Sequence, residues 1–213
     1  YPVKKVIFGE RKAKPHATLD VEKMRELLDH KYFPILRGDL ESVIYDSVKG
    51  DVPFRFNTSI TRIDNQPDGV VVEFSNGESQ QYDLVIGADG IHSNVRKQLW
   101  GAESQFNRFL GFYVACSVID NFLGNEDTFY GHFEPNVQAT IFSIGGNQLA
   151  TFFAFRSEKL NVHGRSAQID VLTNVFGSAG WIMPQLLEAT KRTDDLFFDA
   201  VAQIQLNEWH KGR

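Results

Sequence analysis

Along the first hundred residues, apolar positions recur at the spacing of helices in some segments and at that of strands in others. Over Val21–His30 they recur at helical spacing, and Asp20 stands where an N-cap residue is expected. A second helix is predicted to open at Gly38-Asp39 with an apolar face. The face of that helix would consist of Leu40, Val43, Ile44 and Val48. Short strands are predicted at Val3–Phe8, Phe54–Phe56, Ser59–Ile63 and Val70–Phe74, with a further strand or hairpin arm within Arg11–Asp20. Asn76-Gly77 predicts a hairpin that joins Val70–Phe74 to a strand at Glu78–Gln81.

Between Tyr82 and Trp100 the pattern changes within a few residues. Leu84–Ile86 is a continuous apolar run, which predicts a strand buried on both faces. Gly87-Ala88-Asp89-Gly90 follows, and then a segment with helical spacing. Strand, glycine turn and helix in this order are typical of a nucleotide-binding crevice, whereas a buried strand with a glycine-rich exit is the alternative.

Aromatic residues distinguish the second half of the chain, where ten of the 18 Phe lie between Phe106 and Phe155. Four strands of one antiparallel sheet are predicted there, followed by two helices and a long final strand. Alternation places Tyr130 and His132 on one face of their strand, and Phe153 and Phe155 on one face of theirs. The predicted ranges are Gly111–Asp120, Thr128–Glu134, Val137–Ile144, Gln148–Ser157, Arg165–Phe176, Trp181–Thr190 and Asp195–Asn207.

Composition narrows the function classes. A formal net charge of −5 without any basic run argues against a nucleic-acid partner. The single cysteine indicates a reducing, cytoplasmic setting, and no apolar run has the length of a membrane helix. The six histidines are scattered, so no metal site is predicted.

The segment D-L-V-I-G-A-D-G-I-H-S-N-V-R resembles the DG motif of the class A flavin-dependent aromatic hydroxylases, the family of p-hydroxybenzoate hydroxylase. The resemblance implies that Asp89 and Gly90 bind FAD. Arg96 would meet the phosphates of NAD(P)H or pair with a carboxylate. Arg37, in R-G-D-L, falls on a position beside the flavin ribose and phosphates, and Ile60 on a backbone contact to the adenine.

The resemblance covers only the middle of such an enzyme. No G-x-G-x-x-G unit occurs, and the chain stops at Trp209-His210-Lys211-Gly212-Arg213, which resembles the W-x-x-G-R that precedes the family's second Gly-Asp motif. The ending looks most similar to the tetracycline-inactivating members. We therefore expect a fragment that cannot retain FAD by itself. Its exposed truncated edges are expected to favour self-association.

The resulting prediction is an α/β (α+β) fold in three ranges. Residues 1–105 would form a partial FAD-binding domain with a β-meander, residues 106–195 an antiparallel substrate-binding sheet with helices, and residues 196–213 a return strand. The implied function of the parent protein is hydroxylation of a phenolic, enolic or polyketide substrate with FAD, NAD(P)H and oxygen. Tyr130, His132, Phe153 and Phe155 are the candidates for lining the substrate pocket, and no catalytic residue is evident.

Two other functions fit the same sequence. An aromatic-ligand binding module without flavin would use the Phe-rich sheet alone. A flavin oxidoreductase without oxygenation would share the glycine turn but would not need the aromatic sheet.

Overall fold

The structure is a computed structural model that describes residues 3–9, 15–31, 35–124, 126–180 and 182–213. The chain divides into two compact units, each described by itself below. The first contains the residues up to Leu40 together with Gly111–Val201. The second contains Glu41–Leu110 together with Ala202–Arg213.

A seven-stranded mixed sheet carries most of the described strands. In chain order its strands are β1 (Lys5–Gly9), β2 (Pro15–Asp20), β6 (Asn107–Asp120), β7 (Thr128–Glu134), β8 (Val137–Gly145), β9 (Gln148–Arg156) and β10 (Leu196–Ile204). Their spatial order is β10-β6-β9-β8-β7-β1-β2. The pairs β6–β9, β9–β8 and β8–β7 are antiparallel, whereas β1 runs parallel to β7.

The four aromatic strands predicted from alternation are confirmed, but the sheet is larger than expected because β1 and β2 also belong to it. The predicted ranges are 1–105, 106–195 and 196–213. In the first of them, β1 pairs with β7 and β2 pairs with β1, so these two strands lie in the aromatic sheet and not in the meander. The functional assignment of those ranges stays a prediction.

A three-stranded antiparallel meander lies in the second unit, in the order β3-β4-β5. Its strands are β3 (Ile60–Gln66), β4 (Gly69–Phe74) and β5 (Ser79–Tyr82). The predicted hairpin at Asn76-Gly77 joins β4 to β5, and Gly77 has the positive φ of 85° that favours glycine in a tight turn. The meander and the α/β fold class are therefore confirmed.

The described helices are α1 (Val21–Leu27), α2 (Arg37–Val48), α3 (Asn94–Trp100), α4 (Arg165–Phe176) and α5 (Met183–Arg192). Asp20 caps α1 as predicted, because its carboxylate accepts from the N–H groups of Glu22 and Lys23. Among the described residues no helix is long and apolar enough to cross a membrane.

Two expectations for the second unit are wrong. Leu84–Ile86 is not a buried strand: Leu84 is 61% and Ile86 80% exposed, and no ladder flanks them among the described residues. Only the Val85 N–H makes a strand-like bond there, to the Arg213 carbonyl at 2.9 Å. Phe54–Phe56 is likewise not a strand. The helix predicted to open at Gly38-Asp39 is present as α2, and Leu40, Val43 and Ile44 of its apolar face are exposed.

The remaining differences concern element ends and the residues that can be described. The final strand β10 spans Leu196–Ile204 within the longer predicted range, and α5 begins at Met183. Residues 11–14 and Trp181, which the predicted elements included, lie outside the described residues.

Candidate functional site

The glycine turn at Gly87-Ala88-Asp89-Gly90, called the DG turn below, is bound to the first turn of α3. Ser93 is the N-cap residue of α3, and its Oγ accepts from the Arg96 N–H at 2.9 Å. The same hydroxyl donates to Asp89 Oδ1, while the Val95 N–H donates to Asp89 Oδ2 at 3.0 Å. Both carboxylate oxygens are thus held from the helix side, which fixes the orientation of an otherwise exposed side chain.

These bonds also decide the ionisation of Asp89. Burial raises the pKa of its carboxyl group, but the hydrogen bonds from Ser93 and from the Val95 N–H outweigh burial, so the pKa lies below its ordinary value. The carboxylate is therefore charged at neutral pH. An ionised carboxylate has about four acceptor positions, so capacity remains for a ligand hydroxyl or a water molecule.

Two positions of the DG turn require glycine for different reasons. A Cβ on Gly87 would lie 2.8 Å from Val95 Cγ1, so glycine allows the turn to approach α3 closely. Gly90 has a φ of 80°, which L side chains rarely adopt, and nothing lies within 4 Å of its Cβ position. The turn is consequently packed against the helix at one end and open at the other.

Arg96 folds back onto the DG turn. It is 7% exposed, and its guanidinium donates to the carbonyls of Gly90, at 3.4 Å, and Ile91. Its Nη2 also lies 3.9 Å from Glu103 Oε2, and its buried Nε has no hydrogen-bond partner in the described part of the chain. Of the two predicted roles, this geometry supports pairing with a carboxylate, because the charge points into the turn.

Glu103 collects several donors beside this arginine. His92 Nδ1 lies 3.0 Å from Glu103 Oε2, and Asn107 Nδ2 donates to Oε1 at 2.8 Å. Burial raises the pKa of the Glu103 carboxyl, but these hydrogen bonds and the charges of His92 and Arg96 bring it below its ordinary value. His92 is 60% exposed at its side chain and has this carboxylate as a partner.

Ile60 lies next to the same helix. Its carbonyl accepts from Asn94 Nδ2 at 2.6 Å and from Gln98 Nε2 at 3.1 Å. This carbonyl oxygen is thus already hydrogen-bonded to two side chains of α3. The predicted backbone contact between Ile60 and an adenine stays a prediction that this bonding does not support.

The C-terminal segment runs beside the DG turn. Asn65 Nδ2 donates to the Lys211 carbonyl at 3.0 Å, and Asn65 Oδ1 accepts from the Arg213 N–H at 3.2 Å. Gly212, between them, has a φ of 69°. The Arg213 carbonyl also accepts from the Val85 N–H, two residues before the DG turn, so the structure brings together two segments that carry the family resemblance, the DG motif and the W-x-x-G-R ending.

A cavity of about 320 Å³ opens between these two segments. Asp89, Gly90, Ser93 and Arg96 line one side, and the Trp209–Arg213 segment lines another. This volume is at the lower end of the range for small-molecule sites, roughly 300–1,000 Å³. It combines a fixed carboxylate with apolar walls, as a site for part of a larger ligand would.

Arg37 is the exposed first residue of α2 and belongs to the first compact unit, whereas Asp89 belongs to the second. Its predicted place beside the flavin ribose and phosphates stays a prediction.

The four substrate-pocket candidates share one face of the seven-stranded sheet. Strand register aligns Tyr130 with Ile141 and His132 with Ala139, and Ala139 in turn with Phe153. We call this the covered face, because Phe176 of α4 packs on it at 5.1 Å from Phe153 and 6.1 Å from Phe155, measured between ring centroids.

Burial on the covered face is nearly complete, except at Tyr130, which is half-buried. Phe153 is 0% and Phe155 1% exposed, and His132 is fully buried with its Nε2 3.3 Å from Glu134 Oε1. Rings enclosed by the chain's own side chains have no surface left for a ligand. The predicted pocket role of Phe153, Phe155 and His132 stays a prediction that their burial does not support.

The opposite face of the sheet carries residues that were not among the predicted site candidates. It carries Phe8 on β1, Phe129, Gly131 and Phe133 on β7, Gln138, Thr140 and Phe142 on β8, Phe152 on β9 and Cys116 on β6. We call it the open face, because its phenylalanines are half-buried or exposed. Alternation had identified both faces, but the helices that cover one of them follow later in the chain and could not be assigned to a side.

Comparison with known proteins places this geometry in context. No family model matches the chain. It is 35% identical over 182 residues to a flavin-dependent monooxygenase of Legionella longbeachae, an alignment that covers 84% of this chain and 46% of the relative. The crystal structure of tetracycline destructase Tet(55) superposes with a TM-score of 0.86 at 27% identity, covering 99% of this chain and 54% of that one.

A second solved structure extends the likeness of the fold. Klebsiella pneumoniae HpxO, complexed with FAD and uric acid, gives a TM-score of 0.71 at 20% identity and covers 95% of this chain and 52% of that one. The chain spans about half the length of the curated relatives it matches. It has the fold of the class A flavin-dependent monooxygenases, over part of the length of such a protein.

Proposed function

We propose that the protein containing this chain is an FAD-dependent monooxygenase that hydroxylates a small aromatic or polyketide substrate with NAD(P)H and oxygen. The observation that carries the proposal is the DG turn, whose carboxylate is fixed by α3 beside a glycine with open space above it. The 35% identity to a flavin-dependent monooxygenase over 84% of the chain supports the same conclusion.

The residues around the DG turn fit one end of FAD. Asp89 keeps acceptor capacity for a ribose hydroxyl, and Gly90 lets a ligand approach the backbone. The role of Arg37 at the flavin phosphates is proposed from the sequence resemblance alone, because Arg37 belongs to the other compact unit. When bound, FAD supplies electron transfer and the activation of oxygen. The chain's residues bind and orient: Ser93 holds the carboxylate, and Arg96 fixes the carbonyls of the turn. Because Arg96 is engaged there, the NAD(P)H contact is proposed without it.

The open face is proposed as the surface that binds the substrate. Its central residues carry no charge, and Phe129 and Phe142 stack there at 5.8 Å with an interplanar angle of 18°. Half-buried aromatic rings offer flat apolar area, and a charged ligand would lose hydration without compensation. A flat, small and uncharged substrate is therefore what this face suits.

Self-association is also proposed. Leu84, Ile86 and Trp209 in the second unit are 61%, 80% and 74% exposed, and apolar surface of this kind favours association. Sedimentation velocity of the 213-residue chain should show concentration-dependent species larger than a monomer, whereas a monodisperse monomer would refute it.

The experiment that tests the proposed function uses the full-length protein that contains this chain. A flavin absorption spectrum, aromatic-stimulated NAD(P)H oxidation and incorporation of isotope-labelled oxygen into the product are expected together. NAD(P)H oxidation without labelled product would indicate the oxidoreductase without oxygenation. Ligand binding with neither flavin nor NAD(P)H oxidation would indicate the binding module.

A further inference from the structure

Gly131 in the middle of β7 allows an aromatic ring to lie where a side chain would normally stand. A Cβ on Gly131 would lie 2.3 Å from Phe133 Cε2 and 2.9 Å from its Cζ. Gly131 has no positive φ, so the backbone itself does not require glycine there. The missing Cβ therefore serves the position of the Phe133 ring.

Phe133 borders the middle of the open face. Its ring lies 5.6 Å from that of Phe8, centroid to centroid, and Phe133 remains 39% exposed. On the other side of Gly131 along β7, Phe129 stacks on Phe142. Thr140, the β8 partner of Gly131, lies between the two aromatic pairs. The ring position of Phe133 thus limits the area that a flat ligand can cover.

We propose that Gly131 and Phe133 together determine which ligands the open face accepts, with Phe133 as the residue that limits ligand width and Gly131 as the residue that positions its ring. The inference rests on the proposed function, because it takes the open face as the substrate surface. The occupant is an uncharged, planar, fused-ring aromatic, since the centre of this face carries phenylalanines, Gln138 and Thr140 but no charged side chain.

The test compares two neutral probes, 2-naphthol with two fused rings and 9-phenanthrol with three, by fluorescence titration of the 213-residue chain. Cys116 reports the location of binding. It is the only cysteine of the sequence, it is half-buried, and it pairs with Phe152 on the open face. Thr140 and Phe152 lie in register between Gly131 and Cys116, so a probe that lies along this row and reaches β6 slows alkylation of the thiol by iodoacetamide.

We expect both probes to protect Cys116 in the wild-type chain. Phe133→Ala should raise the affinity for 9-phenanthrol relative to 2-naphthol by about fivefold, the size of one aromatic contact. Gly131→Ala should move the same ratio in the same direction by less, because the methyl group displaces the ring but does not remove it. Phe133→Leu, which keeps apolar volume, should fall between Phe133→Ala and the wild type.

Phe56→Ala is the matched control, because Phe56 is 67% exposed and lies in the other compact unit. Its ratio should equal that of the wild type. An unchanged ratio in both Phe133→Ala and Gly131→Ala, with Cys116 still protected, would overturn the inference and leave the open face standing as the site. Probes that fail to bind, or that bind without protecting Cys116, would refute the open face and the inference together.

Discussion

Ser93 connects the DG turn to α3, and replacing it by alanine tests whether the helix fixes Asp89. The side chain is 8% exposed and makes two bonds through one oxygen, accepting from the Arg96 N–H and donating to Asp89. Ser93→Ala removes both bonds and inserts no larger group. The N-cap and the anchor of the carboxylate are therefore lost together.

The magnitude follows from these two bonds. Loss of a serine N-cap costs about 1 kcal/mol. A hydrogen bond to a charged group is worth roughly 1.5–3 kcal/mol when buried, but Asp89 is exposed to solvent, and the Val95 N–H still binds it, so we discount that contribution to less than about 1 kcal/mol. We expect Ser93→Ala to destabilise the start of α3 by about 1–2 kcal/mol.

Amide hydrogen exchange measures this locally. Protection of the Val95 and Arg96 amides should fall by about five- to thirtyfold, while the amides of β4 keep their protection. Ser47→Ala is the matched control, since Ser47 is exposed on α2 and only donates to the Ile44 carbonyl. Unchanged protection at Val95 and Arg96 in Ser93→Ala would refute the role given to Ser93.

Three further outcomes are expected. Gly87→Ala should lower the free energy of unfolding in urea by about 1–3 kcal/mol, because the new Cβ meets an α3 side chain at 2.8 Å. Gly50→Ala is the control and should not lower it, because nothing lies within 4 Å of the Cβ position there. Equal effects of the two substitutions would contradict the close approach. The Asp89 pKa is lowered on folding, so the carboxylate stabilises the fold fully above the ordinary carboxyl pKa, and this contribution is lost as the pH falls through the folded pKa. Urea titrations down to about pH 3 should therefore show a smaller loss of stability with falling pH in Asp89→Asn than in the wild type. Identical pH profiles would argue against the lowered pKa. Burial and the charge of Asp195 raise the pKa of the Cys116 thiol, so its alkylation at neutral pH should be slower than that of a free thiol. The alkylation rate should increase in Asp195→Asn, and an unchanged rate would exclude the influence of that carboxylate.

Local pattern was sufficient where one element determines its own shape. The Asp20 cap, the hairpin at Asn76-Gly77 and the aromatic strands depend on neighbours a few residues away, and the structure confirms them. The prediction that Leu84–Ile86 forms a buried strand is wrong. Burial depends on which other segments lie beside these residues, and the spacing of apolar positions carries no such information.

The candidate site could be predicted only in part, for a similar reason. The DG motif located Asp89 and Gly90, yet their partners Ser93 and Val95 became clear only from the hydrogen bonds. On the sheet, alternation separated the two faces correctly, but it could not show that α4 covers the one with Phe153. Gly131, two residues before Phe133, is the one signal that could have pointed to the open face, since a glycine within a strand often marks a close approach.

Visible absorption spectroscopy of the full-length protein that contains this chain, comparing wild type with Asp89→Ala, tests the central claim most directly. The account predicts a bound-flavin spectrum in the wild type and weakened FAD retention in Asp89→Ala, with Asp51→Ala, an exposed carboxylate outside the DG turn, retaining FAD as the wild type does. A full-length protein that remains colourless with added FAD, or an Asp89→Ala variant that retains FAD as the wild type does, would contradict it.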